Sequence, residues 1–229
     1  MSEETKKIVV ISASPRTDET STSEFLAVIG TQRMKETDAD IYRIDVRRSI
    51  ARKQTETDFA AMLRADALVL IFPLYFFCLP GMLMRFLEDY YNYYRQNKEN
   101  AGGSRVYAVI NCGFPEPDIN TEAARVIESF CEKTGSFFRF SVLIGGGGML
   151  QGAKDAPFMK KTMAALKRAF GLMIEDTFQS GNEPLNDILL SIRFPRKLYF
   201  FMGGIGWTSQ AKKNGLKKAD LYRRPYREV

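Results

Sequence analysis

The chain has no histidine among its 229 residues. That excludes imidazole-based metal sites, Ser-His-Asp triads and histidine acid–base chemistry together. It has three cysteines, Cys78, Cys112 and Cys131, none in a Cys-x-x-Cys pair. Neither an iron–sulfur cluster nor a structural zinc is therefore expected. Scattered, odd-numbered thiols suit a reducing compartment, and a cytoplasmic location is expected. Cys112 invites a nucleophile reading, but with no imidazole to activate it a neutral, partly buried thiol is expected. No run reaches the roughly 20 apolar residues that span a bilayer. The nearest, Ile188 to Trp207, is broken by Arg193, Arg196 and Lys197, so no stable membrane insertion is expected. The first seven residues, Met1-Ser-Glu-Glu-Thr-Lys-Lys, are charged and unlike a signal peptide. Repeats and low-complexity linkers are also missing. Any catalysis must draw on something other than histidine, and a bound cofactor is the economical source.

What is present is an ordinary globular balance, 45% hydrophobic and 26% charged, with a net charge of +6. A basic excess favours anionic partners such as phosphates and nucleotides. With 27 acidic residues mixed in and the positive charge spread out, it is no nucleic-acid signature, and no nucleic-acid partner is expected.

Apolar runs alternate with helical patterns. Lys7–Ser12, Asp40–Val46, Ala67–Phe72, Arg105–Asn111 and Phe137–Ile144 read as strands. Between and after them, 24–35, 55–64, 80–98, 121–133 and 157–173 read as helices, with Pro80 at a favoured start and Gly135 as a stop. Alternation at this spacing predicts an α/β domain over residues 1–180, with a five-stranded parallel sheet covered by helices on both faces. From Gly181 the pattern changes. Residues 181–229 are read as a C-terminal appendage packed on the domain or on a dimer partner. Its basic end is either an ordinary solvated surface or a tail held near a membrane surface.

Open α/β sheets bind ligands beyond the carboxyl ends of their strands. After the first strand, the loop from Ser12 to Ser23 holds Ser14, Arg16, Ser21, Thr22 and Ser23 and leads into a helix. Hydroxyls and unpaired N–H groups at a helix N-terminus form an anion site, and Arg16 adds a delocalised charge. Ser21-x-x-Glu24 also fits a capping box, but the loop offers more hydroxyls than a cap uses. It has neither a dinucleotide-binding glycine pattern nor a Gly-Lys-Ser/Thr. After the third strand, Pro73-Leu74-Tyr75-Phe76-Phe77-Cys78 is apolar and aromatic. Such a loop is costly to expose and could wall a planar ligand. After the fourth, Asn111-Cys112-Gly113 offers a glycine able to take positive φ or close approach. After the fifth, Gly145–Gly148 reads as either a floppy turn or a surface admitting a substrate.

Ser14-Pro15-Arg16 before a Ser/Thr-rich helix start resembles the phosphate loop of the NAD(P)H-dependent FMN reductase family. Ala65-Asp66-Ala67 through Phe72-Pro73-Leu74-Tyr75, then Leu79-Pro80-Gly81 and Arg85-Phe86-Leu87-Glu88-Asp89, is similar to that family's second block, and Asn111-Cys112-Gly113 to its third. The resemblance covers residues 7–150. It lacks the Gly-Asn-Ser that often follows the first loop and the cysteine cluster of the iron–sulfur branch. It implies a flavodoxin-like fold with strand order 2-1-3-4-5, non-covalent FMN and a homodimer. It assigns the phosphate to Ser14, Arg16 and the Ser21-Thr22-Ser23 group, and Ser12, where the loop begins, is a further candidate contact from the loop itself. The ring edge falls to Pro73, Leu74, Tyr75, Phe76, Asn111 and Gly113. The implied activity passes electrons from NAD(P)H to a small acceptor such as a quinone, flavin, nitro or azo compound. The alternative is a flavodoxin-type electron carrier without NAD(P)H turnover of its own, or a phosphate-binding interaction protein without flavin.

Overall fold

The computed structural model describes residues 5–16 and 21–224. The order is β1 (Lys7–Ser12), α1 (Thr22–Met34), β2 (Asp40–Asp45), α2 (Val46–Ala51), α3 (Thr55–Leu63), β3 (Ala67–Pro73), α4 (Gly81–Gln96) and β4 (Arg105–Asn111). Then come α5 (Thr121–Thr134), β5 (Phe137–Ile144), α6 (Gly148–Gly152), α7 (Lys160–Phe178), β6 (Ile188–Leu190) and α8 (Arg196–Lys213). The strands form one parallel sheet in the order β2-β1-β3-β4-β5-β6.

The apolar strands are covered twice, and their residues alternate between the two covers. Val9, Ile11, Leu68, Leu70, Val106 and Ala108 pack with α3, α4 and α5. Ile8, Val10, Val69, Ile71, Tyr107 and Val109 pack with α1 and α7. A strand buried on both faces has no polar side to display, which is why these strands read as continuous apolar runs. In α4, Leu83, Phe86, Leu87, Tyr90 and Tyr94 are buried at helical spacing. Gly135 ends α5 at φ 62°, as a left-handed C-cap.

The sheet differs from the sequence expectation by one strand. Gly181 onward does not leave the sheet at once. Leu185 N–H donates to the Arg139 carbonyl at 2.7 Å, Ser141 N–H to the Asp187 carboxylate at 2.6 Å, and β6 pairs with β5. Three residues, Ile188–Leu190, are too few for a periodic signal, so β6 cannot be read from its own sequence. The described chain divides into two compact units, one ending at Ile192 and the other starting at Arg193.

One register irregularity has a purpose. β4 and β5 pair Val106 with Phe138 but Tyr107 with Phe140, so Arg139 is the extra residue of a bulge. The bulge turns its guanidinium onto Asp176 near the end of α7, where two nitrogens reach the carboxylate at 2.7 and 2.8 Å. Tyr107 Oη donates to the same carboxylate at 2.7 Å. Arg105 donates to the Asp176 and Thr177 carbonyls at 2.6 and 2.9 Å, filling acceptors that the helix end leaves open.

Candidate functional site

Because the sheet is parallel, β1, β3, β4 and β5 deliver their following loops to one edge. Every site residue read from the sequence is described, but Thr17–Thr20 of the first loop lie outside the described residues.

At the end of β1, Ser14 Oγ accepts from the Arg16 N–H at 3.2 Å, a tight local turn. Ser21 caps α1, its Oγ accepting from the Glu24 N–H at 3.3 Å. The reciprocal arm of a capping box goes elsewhere. Glu24 accepts from the Ser12 hydroxyl at 3.2 Å and from Arg43 at 2.6 Å. Thr22 donates its hydroxyl to the Gly147 carbonyl at 3.2 Å. Buried Ser23 accepts from the Asn111 side-chain amide at 3.0 Å. The hydroxyls of this loop thus divide into two kinds. Ser12 and Thr22 donate inward, while Ser14, Ser21 and Ser23 accept and retain a proton to donate. The N–H groups of Thr22 and Ser23, at the positive end of α1, have no partner among the described residues.

Asn111 is a crosspiece. Its amide also donates to the Phe72 carbonyl at 3.2 Å, so one buried side chain ties β4 to the end of β3 and to α1. The Asn111 carbonyl accepts from Leu74 N–H at 2.8 Å. Gly113 has no positive φ, and a Cβ there would meet no atom of the described residues within 4 Å. Packing of the described residues does not demand glycine at 113.

The glycine run is the opposite of floppy. A Cβ on Gly145 would lie 2.2 Å from the Pro115 carbonyl oxygen, and one on Gly147 2.9 Å from Asn111 Oδ1. The N–H groups of Gly146 and Gly147 donate to the Phe114 and Cys112 carbonyls at 2.6 and 2.7 Å. Glycine is required here for close backbone approach, which locks the β5 loop against the β4 loop.

The loop after β3 is a two-residue hairpin. Tyr75 and Cys78 exchange both backbone hydrogen bonds at 2.9 Å. The residues between them, Phe76 and Phe77, have φ of 47° and 60°. Positive φ at both central positions is the type I′ signature, normally filled by Asn-Gly. Phe76 is 99% exposed and Phe77 60%. Phe77 stacks on Phe114 from the β4 loop, with centroids 6.2 Å apart. Two aromatic rings held in strained backbone and turned to solvent are what a folding chain avoids, and such outliers concentrate at ligand sites. Pro73 and Leu74, by contrast, are half-buried. The hairpin is invisible in the sequence because Tyr-Phe-Phe-Cys carries no turn residue, and the structure adds Phe114, stacked on Phe77, and Arg43, paired with Glu24, to the residues at this edge.

Cys112 follows the expected neutral-thiol reading. Burial raises its pKa, and its thiol donates to the Phe114 carbonyl at 3.5 Å. Burial raises Cys131 as well. A disulfide-exchange reagent at neutral pH is expected to label half-buried Cys78 readily in the folded protein, and Cys112 and Cys131 only on unfolding. Peptide mapping after labelling checks this, and rapid labelling of Cys112 would contradict it. No group of metal-holding side chains occurs among the described residues.

The fold has solved counterparts. An azoreductase from Bacillus anthracis str. Sterne aligns at TM-score 0.54 and 16% identity over 74% of this chain and 99% of its own. An NAD(P)H:quinone oxidoreductase from Methanothermobacter marburgensis aligns at 0.58 and 15% over 79% and 100%. General stress protein 14 from Treponema denticola, solved in complex with FMN, aligns at 0.53 and 14% over 75% and 99%. At such identities the likeness is one of fold. No curated protein matches in sequence. The profile of the Flavodoxin_2 family, described as flavodoxin-like fold, matches residues 6–144, from the start of β1 to the end of β5, and by that match the chain belongs to this family.

Proposed function

We propose that the first unit binds FMN and passes electrons from NAD(P)H to a small acceptor of the quinone, flavin, nitro or azo class. The observation that carries the reading is the Tyr75–Cys78 hairpin, which turns Phe76 and Phe77 outward at the sheet edge where α1 begins. The donor set fits a flavin phosphate. The N–H groups of Thr22 and Ser23, which have no partner among the described residues, and the Ser21 hydroxyl lie at one helix start, and the loop leading to it carries the Ser14 hydroxyl and the cationic Arg16. Ser12 and Asn111 serve as positioning residues. Ser12 anchors Glu24, and Asn111 anchors Ser23. Half-buried Pro73 and Leu74, with Gly113 carrying no side chain, suit the edge of a planar ring beside exposed Tyr75 and Phe76.

When bound, FMN supplies the hydride and electron transfer chemistry. The chain's part is to hold the phosphate, wall the ring with aromatic side chains and exclude water from one side of it. No ionisable side chain has to shuttle a proton, which suits a chain without histidine. The reading takes the protein as a cytoplasmic homodimer, in the compartment that supplies NAD(P)H.

The test is direct. Purified protein is expected to carry or take up FMN, and a hundredfold excess over Kd should stabilise it by about 2.7 kcal/mol. NADH or NADPH should then be oxidised steadily with a quinone or free flavin as acceptor. FMN binding without such turnover would leave an electron carrier in its place. Protein that FMN neither binds nor stabilises would overturn both.

A further inference from the structure

The positive charge is not spread out as the sequence reading expects; it is concentrated at one end of the chain. Residues 193–229 hold 10 of the 33 Lys and Arg and 2 of the 27 Asp and Glu, net +8, leaving 23 basic against 25 acidic residues elsewhere, net −2. The whole excess therefore belongs to the second unit, whose one long element is α8.

α8 is a well-terminated helix. Gly215 lies at φ 73°, its N–H donates to the Lys212 carbonyl at 3.0 Å, and Leu216 N–H reaches the Ala211 carbonyl at 2.9 Å. That is a Schellman closure, which marks a defined stop. Yet almost nothing of the helix is covered. Ala211 is its single buried residue, while Phe201, Ile205 and Trp207 are 65%, 55% and 71% exposed. At 100° per residue, Leu198, Phe201, Met202 and Ile205 share one side, and Phe200 and Trp207 lie opposite. A helix that docks in a protein groove presents one apolar stripe. A helix apolar on opposite sides calls for apolar surroundings on both.

The ends set the depth. Arg193, Arg196 and Lys197 precede the apolar stretch, and Lys212, Lys213, Lys217 and Lys218 follow it. The stretch from Leu198 to Trp207 is only ten residues, about 15 Å, half of a hydrocarbon core of about 30 Å. Accordingly, no helix among the described residues is long and apolar enough to cross a membrane. A short apolar helix with basic ends sinks its middle below the headgroups while its lysine and arginine stems reach back to the anionic headgroups. Tyr199, Trp207 and Tyr222 are the ring types that favour the headgroup boundary. A second copy is a poor alternative cover, since two units of net +8 repel.

We propose that α8 and its basic flanks bind a bilayer containing anionic lipid, the apolar stretch sunk below the headgroups and the basic ends held at them. The inference stands on the second unit alone and does not depend on the flavin reading.

Trp207 is the only tryptophan in the chain, so its emission reports on this helix directly. Full-length protein is mixed with vesicles of phosphatidylcholine, with or without phosphatidylglycerol. The expected result is co-flotation with the anionic vesicles, a blue-shifted Trp207 emission and quenching by lipids brominated on the acyl chains. Lys212→Glu with Lys213→Glu should lower partitioning about tenfold or more. Phe201→Ser with Ile205→Ser should abolish acyl-chain quenching while leaving the melting temperature in place, because both side chains are exposed. Unshifted emission and no flotation at low salt would overturn the proposal. So would a blue shift without lipid accompanied by a doubled sedimenting mass, which would mean that a second copy covers the helix. Binding to polyglutamate but not to anionic vesicles would assign the surface to an acidic protein instead.

Discussion

Asp176→Ala is expected to destabilise the protein by about 3–5 kcal/mol, because it strips the counter-charge from a buried guanidinium. Arg139 and Asp176 are 4% and 5% exposed, and the pair forms a fork of two hydrogen bonds at 2.7 and 2.8 Å. Arg139 also donates to the Glu183 carbonyl, so it cannot swing out to water without releasing the segment that leads to β6. For a chain of this size the loss should lower Tm by about 10 °C or more. Replacing both partners with apolar residues, Arg139→Met with Asp176→Leu, should cost less than the sum of the single changes, since no uncompensated charge is left behind. Additive losses in that cycle would mean that the pair is not coupled. The pH dependence has a fixed sign. Burial pushes the Asp176 carboxyl up, but hydrogen bonds from Arg139 and Tyr107 and the nearby positive charge outweigh it, and the pKa falls below the ordinary carboxylate value. Its stabilisation is complete above the unfolded pKa of about 3.9 and is lost as pH falls through the lower, folded value. Denaturant melts of wild type and Asp176→Asn should therefore converge in strong acid, and a constant gap between them would rule out this titration.

That network also marks where the sequence stops being legible. The strands β1, β3 and β4 could be read from composition because burial on both faces leaves an unbroken apolar run. The edge of the sheet could not. β6 is three residues long, and it is held by Arg139 and Asp187, whose roles depend on a one-residue bulge that no periodicity reveals. At the candidate site the pattern is similar. Ser21 is legible as a cap because Ser before a helical run with Glu three residues on is a local signal. Glu24 is not, because its partners Ser12 and Arg43 belong to β1 and β2, and parallel pairing brings them together only in the fold. Asn111 was legible as a polar residue at a strand end. Its buried amide, shared between Phe72 and Ser23, was not. The glycines after β5 were legible as glycines, but the reason for them, a neighbouring backbone 2.2 Å from a would-be Cβ, is a tertiary fact.

The hairpin after β3 gives an effect in which stability and binding should move in opposite directions. Replacing Phe76 with Asn and Phe77 with Gly installs the residues that a type I′ turn prefers. Each phenylalanine now sits at positive φ, which costs of order 1 kcal/mol or more for a side chain of that bulk. Phe76 is almost fully exposed and has no packing to lose, whereas Phe77 gives up its stacking on Phe114, worth about 0.5–1.5 kcal/mol. The double variant should therefore be more stable than wild type by about 1 kcal/mol in urea melts. If the rings wall a flavin, the same change removes apolar area from the bound state, at about 25 cal/mol per Å². Covering about 60 Å² of each ring then amounts to about 3 kcal/mol, about a hundredfold in Kd. Fluorescence titration with FMN measures the second quantity, and the urea melt measures the first. Loss of stability would show that the turn is unstrained. Unchanged FMN affinity would remove Phe76 and Phe77 from the flavin site. A gain in stability paired with a loss of affinity is the outcome expected of a turn whose residues are selected for what they touch and not for how easily they fold.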